Sequence, residues 1–360
     1  MNTILMWAVA VSAILGGLDK IFGDRFGLGK RFDEGFRLTG PMFSGMLGIL
    51  CLSPVLSRIL TAYAAPLLLQ IGLDPSILAG IIPIDMGGYQ LAAGMAADPV
   101  IGIFSAVIPT STFGCTLMFT IPVGLGLIDE RKREPFILGI LYGLIFLPVP
   151  FLLGGVLGGL SFRQTIFQSL PALVLTLILS YGILKNPAKI ASVFMILSKG
   201  ILALSVLGIL AALTEYLCGI TLTPGILPLR DALTEAGLCA ILLIGCLPFA
   251  EILHRLLKRP LRMIGDHIGL RDRGITGMLM GLVSVTAVLG SMPDMEDREI
   301  SINAAFLVSA AAVFGPHLSV CAANAPAMVM PLVIAKLSGG LCAVIFMIIQ
   351  SRKKNRQTAL

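Results

Sequence analysis

Ser76 to Ala97 read SILAGIIPIDMGGYQLAAGMAA, an apolar stretch with a single charge, Asp85, near its middle. Taken as a spanning helix, the stretch puts that carboxylate about 15 Å from either end, inside a hydrocarbon layer only ~30 Å thick. An ionised Asp at that depth costs roughly 2.5 to 3.5 kcal/mol even on insertion scales, so it is expected to face a cavity, a counter-charge or a cation in transit. Pro83 precedes it and Gly87 and Gly88 follow, which interrupts the helix and frees backbone groups beside the charge. These residue types point to a buried site for a small cation.

Composition sets the class. Of 360 residues, 56% are hydrophobic and only 13% charged, with a mean hydropathy of +0.95; soluble domains carry about 25% charged residues. The chain therefore reads as an all-α polytopic membrane protein, a single integral membrane domain over residues 1–360 with room for about nine to eleven transmembrane segments. The seven cysteines are scattered through apolar runs without C-x-x-C spacing, which argues against a disulfide framework or a zinc site and makes them small core residues. No cofactor or metal is called for. The basic balance does not indicate a nucleic-acid partner, because the basic residues fall into short loops; the partner surface is the lipid bilayer.

Hydropathy gives spans at Thr3 to Leu18, Pro41 to Leu60, Ser76 to Ala97, Pro135 to Gly159, Thr165 to Leu184, Ile190 to Leu213, Gly237 to Leu253, Ile275 to Leu289 and Leu337 to Gln350. Two longer apolar stretches remain, Val100 to Ile128 and Ile300 to Ala335. The first is interrupted at Pro109 to Gly114 (PTSTFG) and the second at Gly315, Pro316 and Pro326, so each reads as a re-entrant or broken-helix hairpin. With both as hairpins and the N-terminus outside, the loops around Lys20 to Arg37, Arg131 to Arg133, Lys185 to Lys189, Arg255 to Arg273 and Arg352 to Arg356 all face the cytoplasm. These hold most of the 26 basic residues, as the positive-inside rule requires. Arg58, Arg163, Arg230, Arg298 and Lys336 fall outside, together with the acidic segments Glu215 to Ala236 and Asp294 to Glu299. Met1 to Leu18 lacks a basic leader region and is read as a retained span.

A weak internal repeat accompanies this topology. Gly72-Leu73, Asp74 and Gly80 align with Gly269-Leu270, Asp272 and Gly277; Phe113-Gly114 and Leu117 align with Phe314-Gly315 and Leu318. The two copies, near 72–160 and 269–350, run in opposite orientations across the membrane. Inverted repeats of this kind mark alternating-access carriers, whose substrate site lies near the midplane where broken helices meet.

The runs LAGIIPIDMGGYQLA, FTIPVGLGLI and NAAFLVSAAAVFGPHLSVCAANAPAMVMPLVIAKLSGG, with the opening DKIFGDRFGLGKRFDEGF, resemble the ethanolamine-utilisation permease family of EutH type over nearly the whole chain. The resemblance implies a multi-pass protein of the bacterial inner membrane that takes up ethanolamine for catabolism alongside an ammonia-lyase housed in a microcompartment. Two places depart from the family pattern. Pro316 stands before His317 where an acidic residue is expected, and Val283 to Ala287 (VSVTA) stand where paired asparagines are expected.

Ethanolamine near neutral pH is a primary ammonium with a hydroxyl two carbons away, so its site needs an anionic partner for the amine and a short polar group for the alcohol. Asp85 is the candidate for the first. Thr110, Ser111, Thr112 and Thr116 in the first interrupted stretch, with His317 and Asn324 in the second, are candidates for the other, and Tyr89 lends a ring to the ammonium. Lys199, inside Ile190 to Leu213, is a counter-charge candidate or a side chain snorkelling to the membrane edge. Each has a plainer role: the hydroxyls back-bond to their own helix, His317 is a satisfied core histidine, Asn324 bridges helices, and Tyr89 packs. An enzyme is disfavoured, for the sequence holds no G-x-S-x-G, no H-E-x-x-H and no second aspartate in a G-x-G-D setting. A channel or carrier for another small amine and a membrane scaffold remain as alternatives.

Overall fold

The computed structural model describes residues 2–82, 84, 88–268 and 270–357, and every regular element among them is helical. Eight helices among the described residues are long and apolar enough to cross a membrane. Helices α1 (Asn2–Ile21) and α2 (Leu28–Gln70) are joined by a turn closed by buried Asp19. Its carboxylate accepts the N–H groups of Phe26 and Leu28 at 2.8 Å and of Gly29 at 3.0 Å, satisfying donors that the first turn of α2 leaves without intrahelical partners.

Between residues 76 and 97 the chain does not form the single spanning helix that its hydropathy suggests. It forms α3 (Ile77–Ile81) and α4 (Gly88–Met95), both far too short to cross. Ile82 leaves the helix in an extended conformation (φ −64°, ψ 129°), as expected of a residue preceding proline. Buried Asp74 then gathers both ends of the segment: one oxygen accepts Ser76 N–H at 2.8 Å, the other accepts the N–H groups of Ala97 and Asp98 at 3.0 and 2.8 Å. Gln168 orders the same corner, accepting Asp74 N–H and donating to the Gly72 carbonyl.

The stretch expected to turn back, Val100 to Ile128, instead runs on as one continuous helix as far as Leu127. Helix α5 (Pro99–Pro109), two π-helical turns (Thr110–Gly114 and Thr116–Thr120) and α6 (Ile121–Leu127) form one 29-residue apolar run, 89% buried in its apolar window, the most enclosed of the eight. Pro109, Thr110, Cys115, Thr120 and Ile121 all keep right-handed helical backbone. The reason is the side chains that looked like breakers. The hydroxyls of Thr110, Ser111, Thr112 and Thr116 donate to the carbonyls of Ser105, Val107, Ile108 and Thr112, so the helix widens and stays satisfied where Pro109 removes a donor.

The chain returns through α7 (Arg133–Ile145) and α8 (Pro148–Leu157), antiparallel to that run. A Cβ on Gly124 would strike Phe136, and one on Gly154 would strike Ile108, so glycine sets the approach near both ends. Helix α9 (Phe162–Lys185) starts from a reciprocal Ser161–Gln164 capping box. Helix α10 (Pro187–Cys218) lies at the periphery and is the least buried of the eight. It crosses α2 tightly, where a Cβ on Gly48 would sit 1.6 Å from the Ser205 carbonyl oxygen and one on Gly208 would sit 2.3 Å from that of Gly48. Gly48→Ala is expected to part the two helices and cost about 1–3 kcal/mol, read as a lower thermal midpoint of the detergent-purified protein; an unchanged midpoint would refute the close crossing.

After α11 (Leu229–Ile268) come two more short helices, α12 (Asp272–Gly281) and α13 (Val285–Ser291). Arg273 donates to the Asp294 carbonyl at 2.6 Å, Arg271 pairs with Glu296, and Lys132 donates to the carbonyls of Pro293 and Met295. Asp294 to Glu299 therefore lie on the same face as Arg131 to Arg133 and Arg271 to Arg273, and not on the opposite one as loop charge suggested. Asp272, aligned by sequence with Asp74, does not repeat its role: it is exposed and pairs with Arg262. Buried Glu299 ties this corner, accepting from Gly274 and Glu296 backbone N–H groups.

Helix α14 (Asp297–Ala310) ends at a non-helical segment, residues 311–315, before α15 (Pro316–Asn324) and α16 (Val329–Gln357). The freed donors at this break are met by α12: Ala312 N–H donates to Gly281 and Phe314 N–H to Leu282, both at 2.8 Å. The second apolar stretch is thus interrupted where Gly315, Pro316 and Pro326 indicated. Five of the cysteines are buried as expected of core residues, while Cys218 is exposed and Cys342 partly so.

Candidate functional site

A cavity of about 20 Å³ lies where α4, the π-helical segment and α15 meet. Tyr89, Thr110, Ser111 and His317 supply its polar wall, and Ala106, Val107, Val320, Cys321 and Leu332 the apolar one. One water needs ~10–15 Å³, so the cavity is smaller than a four-heavy-atom amino alcohol.

The wall is fixed from behind. Gly88 opens α4 against the π-helix, and a Cβ there would come within 2.8 Å of Thr110 Cγ2. The Tyr89 hydroxyl donates to the Asn324 carbonyl at 2.9 Å, which holds its ring over the cavity and joins α4 to α15. His317, buried at the start of α15, has Nδ1 2.9 Å from the Ala311 carbonyl; a carbonyl only accepts, so Nδ1 carries a proton. A neutral ring with that tautomer has Nε2 as an acceptor.

Sequence reasoning named ten binding residues, and the structure separates them. Tyr89, Thr110, Ser111 and His317 share the cavity wall, and Gly88 packs directly behind Thr110. Thr112 and Thr116 are buried in the same run without lining it; Thr116 also reaches across to the Val308 carbonyl at 3.1 Å. Asn324 bridges helices, donating to Val320 at 3.0 Å and accepting from Gln90 at 3.4 Å. Asp85 and Gly87 lie outside the described residues. Lys199 is exposed on peripheral α10, away from the cavity.

A different lysine stands at the site. Lys336, placed by loop charge in an external connection, is wholly buried two turns into α16, and its ammonium donates to the Ser111 carbonyl in the π-helical segment. Ser309 donates to the Lys336 carbonyl at 2.9 Å. A buried ammonium is costly unless paired and hydrogen-bonded, and a π-helix presents carbonyls with their ladder bonds rearranged. The signal in the sequence was one Lys inside VMPLVIAKLSGGLCAVIFMIIQ; starting the last span at Leu337 had hidden it.

No solved structure matches the chain. The family model described as "Ethanolamine utilisation protein, EutH" matches residues 1–349. Among curated proteins, the chain is 34% identical to "Probable ethanolamine permease EutH" of Listeria monocytogenes, over all of this chain and 98% of that protein. It is 35% identical to "Uncharacterized protein YxeR" of Bacillus subtilis, over 95% and 93% of the two chains. It is 31% identical to "Probable ethanolamine permease EutH" of Escherichia coli K12, over 95% and 94%. A family match over almost the full length, together with eight long apolar helices among the described residues, identifies this protein as a member of the EutH family of ethanolamine utilisation proteins.

Proposed function

We propose that this protein is a permease carrying ethanolamine inward across the bacterial inner membrane, with its N-terminus outside and its C-terminus cytoplasmic. The observation that carries the reading is a small cavity with four polar residues in an otherwise apolar wall, bounded by a π-helical segment on one side and the start of a half-length helix on the other. Irregular backbone at membrane depth is tolerated where it lines such a cavity, and it is where carriers bind small polar cargo. The names of the relatives in Listeria and Escherichia supply the cargo. The permease names of these relatives support a transporter over an enzyme. A cavity of only about 20 Å³ supports a carrier over an open pore.

In this reading residues 72–160 and 269–350 are inverted repeats, each opening with a re-entrant pair of short helices. Support comes from parallel contacts. Asp74 ties the ends of one pair and Glu299 braces the other, while Gly88 packs on Thr110 and Gly281 and Leu282 cap the 311–315 break. Asp85, in the link between α3 and α4, is the partner for the ammonium; Thr110 and Ser111 face the alcohol.

The test is uptake of radiolabelled ethanolamine into proteoliposomes, with unlabelled ethanolamine, choline and ammonium as competitors. Saturable uptake that cold ethanolamine suppresses is expected, and none above protein-free vesicles would defeat the reading. Asp85→Asn, which removes the charge with little change of shape, is expected to leave the protein folded and abolish uptake; normal uptake by that variant would remove Asp85 from the site.

A further inference from the structure

We propose that Glu235 forms a second cation-binding site, an access position at which the substrate's ammonium docks before it reaches the cavity. The inference rests on the permease reading above.

Glu235 lies in the second turn of α11, half-buried, and its Oε2 is sealed from solvent without a hydrogen-bond donor among the described residues. A carboxylate oxygen in that position is costly unless a cation answers it. A second carboxylate, that of Asp231 one turn back on α11, adds its negative field. The Gln90 side chain stands beside Glu235 and also reaches Asn324 Oδ1, and Cys239, one helical turn further along α11, receives the Asn324 amide at 3.5 Å. Primary ammonium offers three N–H donors, of which one answers the free Glu235 oxygen and another the Asn324 side-chain oxygen, while the Gln90 amide donates to both neighbours and holds them in place. No aromatic cage for a quaternary ammonium is needed or built here.

Position makes the cluster an entry point. One layer separates it from the cavity, formed by Tyr89 and Asn324, and the hydrogen bond between the Tyr89 hydroxyl and the Asn324 carbonyl closes that layer. Tyr89 itself lines the cavity on the other side. A cation held at Glu235 therefore sits against the residue pair that must part for it to advance. Neighbouring Gln90 follows Tyr89 on α4, so binding at one face and parting at the other act on the same short helix.

The experiment compares wild type, Glu235→Gln and Glu235→Asp in proteoliposomes. Loss of one charge-assisted hydrogen bond made before the transport step is expected to raise the ethanolamine KM of Glu235→Gln at least about tenfold with little change in maximal rate, and Glu235→Asp to recover part of it. An unchanged KM, or a lost maximal rate at unchanged KM, overturns the proposal. If Glu235→Gln does not fold, Gln90→Leu gives the second arm, with a raised KM expected and an unchanged one overturning it. Absence of uptake by wild type would defeat the permease reading; calorimetric titration with ethylammonium then decides this one. Binding lost in Glu235→Gln supports the site, and no binding by wild type overturns it.

Discussion

Lys336→Met is expected to cut ethanolamine uptake at least tenfold while the protein still inserts and purifies as a folded species. Methionine keeps the length and apolar stem of the lysine and removes the ammonium. The Ser111 carbonyl then loses its donor inside the wall of the cavity, a loss of ~1–3 kcal/mol concentrated on the segment that carries Thr110 and Ser111. Arginine is not expected to substitute, because a wholly buried site shaped around a slender stem has no room for a planar guanidinium. Uptake by Lys336→Met at the wild-type rate, with an unaltered melting profile, would show that the ammonium is incidental to the cavity.

Asp74→Ala is expected to have the largest effect on stability, about 3 kcal/mol or more, because three backbone N–H groups lose a carboxylate acceptor in one step. Two of them belong to residues 97 and 98, so the loss unties the end of the segment that carries α3 and α4 from its start. Asp98 follows at once and caps α5 through the N–H groups of Val100 and Ile101, so the disturbance passes to the run that lines the cavity. Asp74→Asn retains one acceptor oxygen and is expected to fall between the two. The measurement is the thermal midpoint of purified protein, with accessibility of an introduced cysteine at Ala97 as a local probe. A midpoint within error of wild type would mean that Asp74 is dispensable for holding the two ends together.

The class of this protein is legible in its composition, because no soluble fold accommodates so little charge and so much Leu, Ile and Val. Which apolar stretch crosses is not. Residues 76–97 and 100–128 are both apolar and both interrupted, and exchanging their roles leaves one crossing between Gly72 and Arg131. Loop charge therefore scores the two arrangements alike. What decides between them is the contact of Asp74 with residues more than twenty positions away and the capacity of four hydroxyls in 110–116 to close on their own helix. Neither is a local property of sequence. The same limit hid Lys336: a lysine beside a predicted span reads as a boundary until a partner carbonyl two hundred residues upstream is known. The residues gathered at the cavity were legible because Tyr89, Thr110, Ser111 and His317 are polar groups set beside Pro or Gly within apolar runs.

The π-helical run between Thr110 and Thr120 has a consequence for the angular phase of the whole crossing. Each wide turn takes one residue more than an α-turn, and an extra residue displaces everything beyond it by about 100° around the axis. The positions that α5 and α6 present to a given neighbour are therefore out of phase, and one helical wheel drawn over 99–127 does not describe both. Deleting a single residue such as Cys115 would shorten the run by little more than an ångström yet rotate α6 away from Phe136, where Gly124 now fits; at this crossing, chain count and azimuth matter more than length.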